Sequence, residues 1–435
     1  MKTISTCTLG CKVNQYDTEA MLEAFERAGY MPVSFRQPAD VCLVNTCTVT
    51  GTGDQKSLKM IRRAARLNPK CAIIACGCLA QREAETLARM ENVRLVIGVQ
   101  RRAEAVALLE RALATGETIN AVAPLKGAGF ENLFVTRHEG KTRATMKIQE
   151  GCDRYCSYCI IPSVRGPVRS MPLDDVGREA ARLAAAGYRE IVVTGIHLAS
   201  YGRGTPHTLL DAVRAVHGVP GILRVRLGSL EPVMATEGFA RSLSEMPGLA
   251  RQFHLSLQSG SEGVLRRMRR RYTPDEYRQA VNSLRRFMPD CAITTDVIVG
   301  FPGETDAEFE QTLGFVRDVR LARLHVFPYS RRSGTAADAM ESQVDEAVKR
   351  VRAKKLIEVG NELERSFVSH MVGTVQRVLF EQPAGEGLAE GYTGQYVRVR
   401  AQARPGEFLP VRITGAEGAL AIGEVANNDS EVEKQ

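Results

Sequence analysis

Three cysteines lie within the eight residues Cys152-Asp-Arg-Tyr-Cys156-Ser-Tyr-Cys159. A tight loop can point three thiolates at one face of an iron–sulfur cube, which is held by cysteine sulfurs. Such a cube keeps one iron with an open coordination position, and an open position is typical of a catalytic metal site. The alternatives are a structural zinc loop with a remote fourth ligand, or unligated thiols. Because the segment directly follows a predicted strand, the catalytic cluster is favoured.

A second set of cysteines is spread over the amino-terminal part of the chain. Cys11, Cys47 and Cys78 stand in the segments TLGCKVN, VNTCTVT and ACGCLAQ. Each follows or ends an apolar run, so their loops could meet at one edge of a sheet, the usual ligand crevice of open α/β sheets. Spacing this wide is not a ligand motif, and from spacing alone buried, unreactive cysteine is the better interpretation. Three more cysteines lie within apolar runs and are interpreted as core residues: Cys42, Cys71 and Cys291.

The composition limits the class of protein. The chain has 435 residues, of which 44% are hydrophobic and 25% charged, so disordered, collagen-like and low-complexity proteins are excluded. No apolar run approaches the ~20 residues that a bilayer span needs, and the first residues lack the apolar segment of a signal peptide. We therefore expect a soluble, cytoplasmic protein. Its 11 cysteines, an odd number in a reducing compartment, indicate metal, cluster or redox chemistry rather than disulfides.

The apolar pattern predicts an α/β scaffold for these cysteines. Residues 1–115 alternate short buried strands with helices, which predicts a small parallel sheet with crossover helices. The segment 116–137, with Pro124, Gly127 and Gly129, is predicted to be a linker. The predicted strands are Val41–Val44, Ala72–Ala75 and Leu95–Ile97, and the helices include Glu19–Ala28 and Lys56–Leu67.

Residues 138–368 contain six strand-like runs, most of them separated by helical segments. Six successive β/α units predict a barrel or partial barrel, whose ligands sit at the carboxyl ends of its strands. A long amphipathic helix with an apolar stripe from Val344 through Val351 to Phe367 follows, and residues 369–430 predict a small antiparallel β module. The predicted barrel strands are Ala144–Gln149, Glu190–Thr194, Leu223–Leu227, Phe253–Gln258, Ile293–Val299 and Leu324–Tyr329.

The spacing C-x3-C-x-aromatic-C after a strand resembles that of the radical S-adenosylmethionine (SAM) superfamily. The resemblance implies that Cys152, Cys156 and Cys159 hold a 4Fe–4S cluster whose open iron binds the amino and carboxylate groups of SAM. It also implies that electron transfer cleaves SAM to a 5′-deoxyadenosyl radical. Tyr158 stands at the family's aromatic position, which implies packing on the adenine of SAM; an ordinary core tyrosine is the alternative.

The motifs TLGCKVN, VNTCTVT and GCLAQ together resemble the amino-terminal domain of the methylthiotransferases, which implies that residues 1–115 form such a domain. In that family three cysteines hold a second, auxiliary 4Fe–4S cluster, and the matching positions are Cys11, Cys47 and Cys78. Cys7 and Cys76 lie near those positions and rank lower, because the family's cysteine follows a glycine. The resemblance thus implies two 4Fe–4S clusters.

The resemblance extends along nearly the whole chain. RLGSLEP, HLSLQSGS, RRRYT, TTDVIVGFPGET and VFPYS resemble segments of the same family's radical SAM core. Gly300 lets the backbone approach a ligand closely, which in this register implies a SAM contact; a plain structural turn is the alternative. Ser256 and Gln258 end the predicted fourth strand and are further candidate SAM contacts. Glu231 and Asp296 are candidate contacts to SAM or to the substrate.

The combination TLGCKVNQYDTEA, NTCTVTGTGDQKS and RMRRRYT resembles the MtaB-type branch of the family. That branch places a methylthio group on carbon 2 of N6-threonylcarbamoyladenosine at tRNA position 37, using two SAM molecules per turnover. The resemblance therefore implies a tRNA-modifying transferase that also needs an electron donor and a sulfur source. The alternatives are the same chemistry on isopentenyl adenosine in tRNA or on an aspartate of a ribosomal protein. A non-catalytic, zinc-bearing RNA-binding protein is the alternative from another class.

Three basic sets are candidates for RNA contact, and the net charge of +8 permits a polyanionic partner. Residues 369–430 resemble a TRAM domain, a small β-barrel associated with RNA. In its strand, period-two alternation places Arg398, Arg400 and Arg404 on one face, which suits phosphate contact and stacking on unpaired bases. A solvated strand face is the alternative. The other sets are Lys56, Lys59, Arg62, Arg63 and Arg66, on one predicted helix, and Arg266, Arg267, Arg269, Arg270 and Arg271, beyond the fourth barrel strand.

Overall fold

The computed structural model describes residues 2–138 and 140–426. Residue 139 of the predicted barrel segment and residues 427–430 of the predicted β module lie outside the described residues. None of the described helices is both long enough and apolar enough to cross a membrane. Three groups of elements follow one another along the chain, each with its own strands.

The first group alternates strands and helices: β1 (Thr3–Thr8), α1 (Lys12–Arg27), β2 (Met31–Val33), β3 (Val41–Thr46), α2 (Gly51–Leu67), β4 (Ala72–Gly77), α3 (Cys78–Arg82), α4 (Ala84–Ala88), β5 (Val93–Ile97), α5 (Ala105–Thr115) and β6 (Ile119–Asn120). The strands form one parallel sheet in the order β2-β1-β3-β4-β5-β6. Every residue of β3 and β4 is buried, as expected for a parallel sheet that helices cover on both faces. The predicted parallel α/β fold is confirmed.

Two helices of this group begin earlier than the sequence pattern predicts. Helix α1 begins at Lys12, directly after Cys11, and α2 begins at Gly51 rather than further along. The Thr50 hydroxyl caps α2 by accepting a hydrogen bond from the Gly53 backbone N–H at 3.1 Å. Glycine has a low helix propensity, so the presence of Gly51 and Gly53 makes a prediction from sequence start α2 too late, at Lys56.

The second group consists of β7 (Arg143–Glu150), α6 (Ile161–Arg165), β8 (Arg169–Ser170), α7 (Leu173–Ala185), β9 (Glu190–Gly195), α8 (Leu209–His217), β10 (Arg224–Leu227), α9 (Glu237–Ser244), β11 (Gln252–His254), α10 (Glu262–Arg267), α11 (Pro274–Phe287), β12 (Ala292–Val299), α12 (Asp306–Val319), β13 (Arg323–Pro328) and α13 (Glu346–Ser369). Strands β7, β9 and β10 pair in parallel, as do β11, β12 and β13. The bridges Val225↔Leu249 and Leu230↔Leu255 join the two sets into one arc. The arc confirms the predicted partial (β/α)6 barrel.

Side chains alternate between the two faces of the arc, as strand geometry requires. Ile191, Val225, Leu255 and Val297 belong to the apolar core between the strands and the outer helices. Residues of the opposite parity face the inside of the arc, among them Lys147, Thr194, Arg226, His254, Asp296 and His325. The loops that follow the strands lie together at one rim, where barrels of this type bind their ligands.

The fourth strand of the arc is shorter than predicted. The prediction covers Phe253–Gln258, whereas β11 ends at His254. Gln258 has φ 67°, in the left-handed region, and a residue in that region breaks an extended backbone. A single bridge from Gln258 to Val297 still holds this segment beside β12.

Helix α13 leads from the arc to the third group, and its apolar stripe is narrower than predicted. Asp345 caps the helix, so Val344 lies before it. Leu356 and Val359 are buried in the core of the arc, whereas Val351 is 67% exposed. Buried positions nevertheless run from Lys349 to Val368, so the helix packs along most of its length, with Val351 on its outer side.

The third group is a closed barrel of β14 (Val375–Pro383), β15 (Leu388–Tyr392), β16 (Arg398–Gln402), β17 (Phe408–Glu417) and β18 (Leu420–Val425). All its pairs are antiparallel except β16 with β18. In β16 the residues Val399 and Ala401 are buried, which confirms the alternation read from the sequence. The predicted small β-barrel is confirmed.

The loop between β15 and β16 packs against the amino-terminal end of the arc. Arg226 Nη1 donates to the Gly394 carbonyl at 3.0 Å. The Arg143 guanidinium lies 5.0 Å from the ring centroids of Tyr392 and Tyr396, which stack on each other at 4.7 Å. Protein therefore occupies this end of the arc, which leaves the rim at the carboxyl ends of the strands as the expected entry for ligands.

Candidate active site

The first cysteine set lies in the loop after β7, at the rim of the arc. The Cys159 backbone N–H donates to the Cys156 carbonyl at 3.0 Å, and the Arg154 backbone N–H donates to the Cys152 sulfur at 3.5 Å. From the segment after α10, Arg270 Nη1 donates to the Cys156 sulfur at 3.2 Å. The loop is therefore held from two sides, with a cation next to one sulfur.

The electrostatics of these thiols suit a metal cluster. Burial, with smaller contributions from Cys156 and Cys152, raises the pKa of the Cys159 thiol to about 12. Burial also raises the pKa of Cys152. Thiols with such pKa values stay protonated until a metal ion displaces the proton, and a coordinating thiol is deprotonated outright. Soft sulfur donors beside a cationic N–H donor fit an iron–sulfur cluster, and the assignment of these three ligands stays a prediction.

A mostly buried carboxylate behind the loop contacts two arginines and a histidine. Glu231 follows β10, and its Oε2 lies 2.8 Å from Arg154 Nη2 and 3.0 Å from His197 Nε2. Its Oε1 lies 3.5 Å from Arg270 Nη2. Burial would raise the pKa of Glu231, but the histidine and the two arginines outweigh it and hold the pKa below its ordinary value. This network joins the cluster loop to the loops that follow three other strands.

The two tyrosines of the cluster loop have different surroundings. Tyr158 belongs to an apolar cluster with Phe301 and Tyr329, and its ring centroid lies 6.4 Å from that of Phe301. Tyr155 is 64% exposed and has φ 49°, which is uncommon for a residue other than glycine. The contact of Tyr158 with adenine stays a prediction, and Tyr155 is the aromatic side chain of this loop that is open to solvent.

The other predicted SAM contacts lie on the segments after β11 and β12. Ser256 and Gln258 follow β11, and the Gln258 N–H donates to the Asp296 carbonyl at 2.9 Å. The left-handed backbone of Gln258 is a strain of the kind that clusters at functional sites. At Gly300, with φ 68°, a Cβ would lie 2.3 Å from Lys349 Cγ, so the close approach that glycine permits here is to α13. Contact of these residues with SAM stays a prediction.

The second cysteine set comes from the ends of three neighbouring strands of the first sheet. Cys11 precedes α1, Cys47 follows β3, and Cys78 begins α3 after β4. Burial raises the pKa of Cys78 to about 11, and Cys11 and Cys47 add to that rise because their sulfurs are near. A Cβ on Gly10 would lie 3.0 Å from the Cys47 sulfur, so glycine is needed at this tight junction. The structure brings the three thiols together, and cluster binding by them stays a prediction.

The remaining cysteines pack in apolar clusters. Cys76 is fully buried between the sheet, α1 and α5, while Cys7 packs on the other face with Cys42 and Cys71. Burial raises the pKa of Cys42 and of Cys71 to about 12. Cys42, Cys71 and also Cys291 are buried, as predicted.

One buried arginine connects the two cysteine sets. Arg165 ends α6, the helix that follows the loop of Cys159, and its side chain is 0% exposed. Arg165 Nε donates to the Cys78 sulfur at 3.1 Å, and its Nη atoms donate to Glu150 and Asn14. Ile160, the residue after Cys159, and Val164 of α6 pack in one apolar cluster with Cys78, so the segments that carry the two cysteine sets are in contact.

Arg165 belongs to a buried network with equal numbers of carboxylates and cations. Its members are Asp17, Glu131, Glu150, Arg102, Lys147 and Arg165. Burial would raise the pKa of Glu150, but Arg165, Lys147 and Arg102 outweigh it and hold the pKa low. Removing one member of such a network leaves a partner charge buried and unpaired, which is strongly destabilising.

The predicted RNA-contacting arginines of the third group have carboxylate partners. Arg398 and Arg400 lie 3.6 and 2.7 Å from Glu390, and Arg404 lies 2.8 Å from Glu407. Three of the five arginines beyond β11 are also engaged, since Arg270 contacts Cys156, Arg266 pairs with Glu262 and Arg267 pairs with Glu308. These six arginines would have to give up internal partners to bind phosphate.

The basic residues of α2 differ from both of these sets. All five side chains are exposed, and none forms an ion pair with a carboxylate in residues 2–138 or 140–426. They are Lys56, Lys59, Arg62, Arg63 and Arg66, and they are called the α2 basic face below. Helix α2, which carries this face, directly follows the loop of Cys47.

Sequence reasoning missed several members of the site. His197 was overlooked, although its place just after β9 is a signal, because barrel ligands meet the carboxyl ends of strands. The sequence makes Arg270 one of five candidates for RNA contact, whereas its side chain is 8% exposed and contacts Cys156. No local signal marks Arg165, because its partner Cys78 lies 87 residues earlier in the chain.

Comparisons with known proteins agree with this architecture. Residues 3–98 match the Uncharacterized protein family UPF0004, and residues 146–316 match the Radical SAM superfamily. Radical S-adenosylmethionine methyltransferase TsrM from Kitasatospora setae has a TM-score of 0.58 to this structure at 15% identity, with 78% of this chain and 77% of that chain covered. At that identity the likeness shows the fold.

Curated relatives match over nearly the full length of the chain. The threonylcarbamoyladenosine tRNA methylthiotransferase MtaB of Bacillus subtilis (strain 168) is 40% identical over 92% of this chain and 90% of that protein. The protein of the same name from Thermotoga maritima is 35% identical over 95% and 94%. The tRNA-2-methylthio-N(6)-dimethylallyladenosine synthase of Desulfotalea psychrophila is 34% identical over 94% and 95%. The chain therefore belongs to the methylthiotransferases of the radical SAM superfamily, and within them to the MtaB type.

Proposed function

We propose that this protein transfers a methylthio group to carbon 2 of N6-threonylcarbamoyladenosine at position 37 of tRNA. The observation that carries the proposal is the pair of thiol sets, each gathered at the carboxyl ends of strands, with Cys78 of one set packed against Ile160, the residue that follows Cys159 of the other. The MtaB relatives support the substrate, since their name specifies threonylcarbamoyladenosine. The relative that is named for dimethylallyladenosine makes isopentenyl adenosine the second candidate.

We assign the cofactors to residues as follows. Cys152, Cys156 and Cys159 would hold a SAM-binding 4Fe–4S cluster; Cys11, Cys47 and Cys78 would hold an auxiliary one; two SAM molecules would serve each turnover. When bound, these groups supply the carbon radical and the sulfur for substitution at an unactivated aromatic C–H, which no side-chain acid or base can perform.

The protein's own residues would orient these groups. The N–H donors of Arg270 and Arg165 would stabilise the thiolates of Cys156 and Cys78, because charge-assisted hydrogen bonds are stronger than neutral ones. Glu231 positions the guanidinium groups of Arg154 and Arg270. An electron donor and a sulfur source complete the reaction.

The product analysis tests the proposed function directly. Anaerobically reconstituted protein, given SAM, sulfide and a reductant, is expected to convert tRNA carrying threonylcarbamoyladenosine to its 2-methylthio form. A site that hydrogen-bonds a polar substituent discriminates strongly against analogues that lack it, so tRNA without the threonylcarbamoyl group or with isopentenyl adenosine should react at least ~10-fold more slowly. Mass spectrometry of the nucleosides measures the products. Equal modification of the three tRNAs would contradict the assigned substrate.

Replacing Arg165 is expected to change the auxiliary cluster. Arg165→Gln removes a positive charge beside Cys78, and charge and hydrogen bonds to the sulfurs set cluster potentials. We expect the reduction potential to fall by on the order of 50 mV, which is about a tenfold shift in a one-electron equilibrium. A redox titration followed by electron paramagnetic resonance measures it in a protein whose Cys152, Cys156 and Cys159 are alanine, so that one cluster is observed.

The matched control for this prediction is Arg165→Lys, which keeps the charge. Its potential should lie close to that of the parent protein. Because Arg165 pairs with Glu150, iron content and circular dichroism must show that both variants are folded. The same potential in the glutamine, lysine and parent proteins would contradict a role of this charge at the cluster.

Two basic surfaces are expected to contribute to tRNA affinity by different amounts. Replacing Arg398, Arg400 and Arg404 by alanine should weaken binding and flatten its salt dependence, because each lost phosphate contact lowers the slope of log K against log salt by ~0.7 to 0.9. Replacing Lys59, Arg62 and two neighbours on the α2 basic face should have the larger effect, since these side chains give up no internal carboxylate. Filter binding between low and moderate salt measures both slopes. If the slope of log K against log salt is unchanged in a variant, the replaced arginines or lysines do not contact phosphate, and that surface is an ordinary solvated face.

A further inference from the structure

A polar group lies inside the arc, in the middle of its last three strands. His254, Asp296 and His325 stand on β11, β12 and β13, and ligand atoms of all three lie within 4.8 Å of one another. His254 Nε2 is 3.3 Å from Asp296 Oδ2, and the two imidazole rings are 6.0 Å apart. Asp296 and His325 are direct neighbours in the strand register. Within the described part of the chain this is the one such grouping of histidine, cysteine and acidic side chains.

The orientation of His254 leaves a nitrogen without a hydrogen-bond partner. Its Nδ1 lies 3.2 Å from Thr294 Oγ1, which in turn accepts a hydrogen bond from Gln252 Nε2 at 2.8 Å. This contact fixes the ring and turns Nε2 toward Asp296. In the described structure Nε2 is buried and makes no hydrogen bond of good geometry. Buried polar atoms are nearly always satisfied, so Nε2 retains the capacity to form a hydrogen bond beyond its contact with Asp296.

Two more side chains extend this group along β13. Phe327 and Arg323 have the same parity as His325, and residues of one parity lie on one face of a strand, ~7 Å apart. Phe327 is 51% exposed and lies toward the rim. Arg323 stands at the start of β13, its side chain is 44% exposed, and its Nε lies 3.7 Å from Glu364 Oε1. From the rim toward the start of the strand, the inner face of β13 thus carries an aromatic ring, an imidazole and a cation.

We propose that this inner face binds the polar N6 side chain of the substrate adenosine and selects for it. The inference rests on the proposed function and names the residues that read its substrate. A threonylcarbamoyl group carries ureido N–H donors, which Asp296 would accept, and a carboxylate, which the imidazoles and Arg323 would bind. Unstacked bases pack on aromatic side chains, and Phe327 offers that surface to the adenine ring at the rim.

The same face explains why an apolar substituent would be rejected. A dimethylallyl group has no donor or acceptor, so it would cover Asp296 and His254 and leave them without partners. Burying a polar group without a partner is unfavourable by more than a typical hydrogen bond gains, which makes such a site selective. Selection then comes from the mismatch as much as from the correct contacts.

Binding of anticodon stem-loops tests the proposal. The stem-loops carry threonylcarbamoyladenosine, isopentenyl adenosine or unmodified adenosine at position 37, and fluorescence anisotropy measures their affinity for the cluster-loaded protein. The wild type should prefer the first by at least ~10-fold. His325→Phe and Asp296→Asn should each lose most of that preference while their affinity for the unmodified stem-loop stays within about twofold.

Controls separate this role from others. Lys59→Ala, on the α2 basic face, should lower the affinity for all three stem-loops alike. Iron content and circular dichroism verify folding, and His254→Leu, which removes both ring nitrogens and should also lose the preference, is the substitute for any variant that does not fold. A preference that survives in all folded variants overturns the proposal. A divalent metal ion bound in the wild type in addition to cluster iron, and lost from the His325 and Asp296 variants, would make the group a metal site and would also overturn it.

The outcome is distinguishable from a failure of the proposed function. If the wild type forms no methylthio product on tRNA carrying threonylcarbamoyladenosine, the proposed function fails whatever the stem-loops show. If it forms that product and the variants keep the wild-type preference, the inference about the inner face fails alone.

Discussion

Replacing Cys152, Cys156 and Cys159 together by alanine is expected to abolish both 5′-deoxyadenosine formation and methylthio transfer. These three thiols share one loop at the rim of the arc, and no other cysteine of the described residues lies in that loop. Iron should fall from about eight to about four atoms per chain, since one of two cubes is lost. Iron analysis, together with chromatography of 5′-deoxyadenosine and of the modified nucleoside, measures the three quantities in one preparation.

The matched control for that experiment is Cys291→Ala, a cysteine of the same arc that is buried in its apolar core. It should keep its iron and both products, with at most a small loss of stability from the missing sulfur. Full iron with normal 5′-deoxyadenosine in the triple variant would show that the cluster is held elsewhere. Zinc in place of iron in the wild type would support the zinc-bearing RNA-binding alternative.

The sequence could predict the scaffold of this site because its signals are local. Each β/α unit of the arc carries its own apolar runs, and the chain order of parallel strands fixes which loops meet at one rim. That rule predicts the place of the Cys152 loop at the rim. It also brought the ends of β1, β3 and β4 to one edge, and these strands are adjacent in the sheet.

The contacts between the groups of elements could not be predicted in the same way. Arg165 reaches Cys78, and Glu231 collects Arg154, His197 and Arg270, only because separate elements pack together. No periodicity encodes such pairs, since their sequence separation is set by the fold. A run of arginines such as 269–271 has the pattern of an exposed surface. The burial of Arg270 can be inferred only once its partners, Cys156 and Glu231, are known.

The reason for a glycine is another point that the sequence leaves open. Gly300 stands in a turn that suits a ligand, and its left-handed φ fits that reading. In the structure a Cβ at this position would meet Lys349 of α13 instead. Glycine is required at this position because α13 packs closely against it. A glycine required for close approach of a ligand would look the same in the sequence.

The corresponding variant of the first sheet, with Cys11, Cys47 and Cys78 replaced by alanine, is expected to behave differently. It should keep about four irons and still form 5′-deoxyadenosine under reducing conditions, yet yield no methylthio product. The physical reason is that its thiols come from other elements than the SAM loop, so that loop stays intact. The same iron analysis and chromatography measure the result.

This second variant also tests whether nearby thiols can substitute. Cys76 and Cys7 are the candidates, but both pack in apolar clusters on the faces of the sheet, while the three replaced cysteines lie at its carboxyl edge. Reaching the cluster position would require repacking a close-packed core, so we expect no rescue. Full iron and normal product in this variant would mean that Cys11, Cys47 and Cys78 are ordinary buried cysteines. Loss of 5′-deoxyadenosine as well would mean that the two sites depend on each other, and the contact of Cys78 with Arg165, in the helix that follows the SAM loop, is the connection that the variant would disturb.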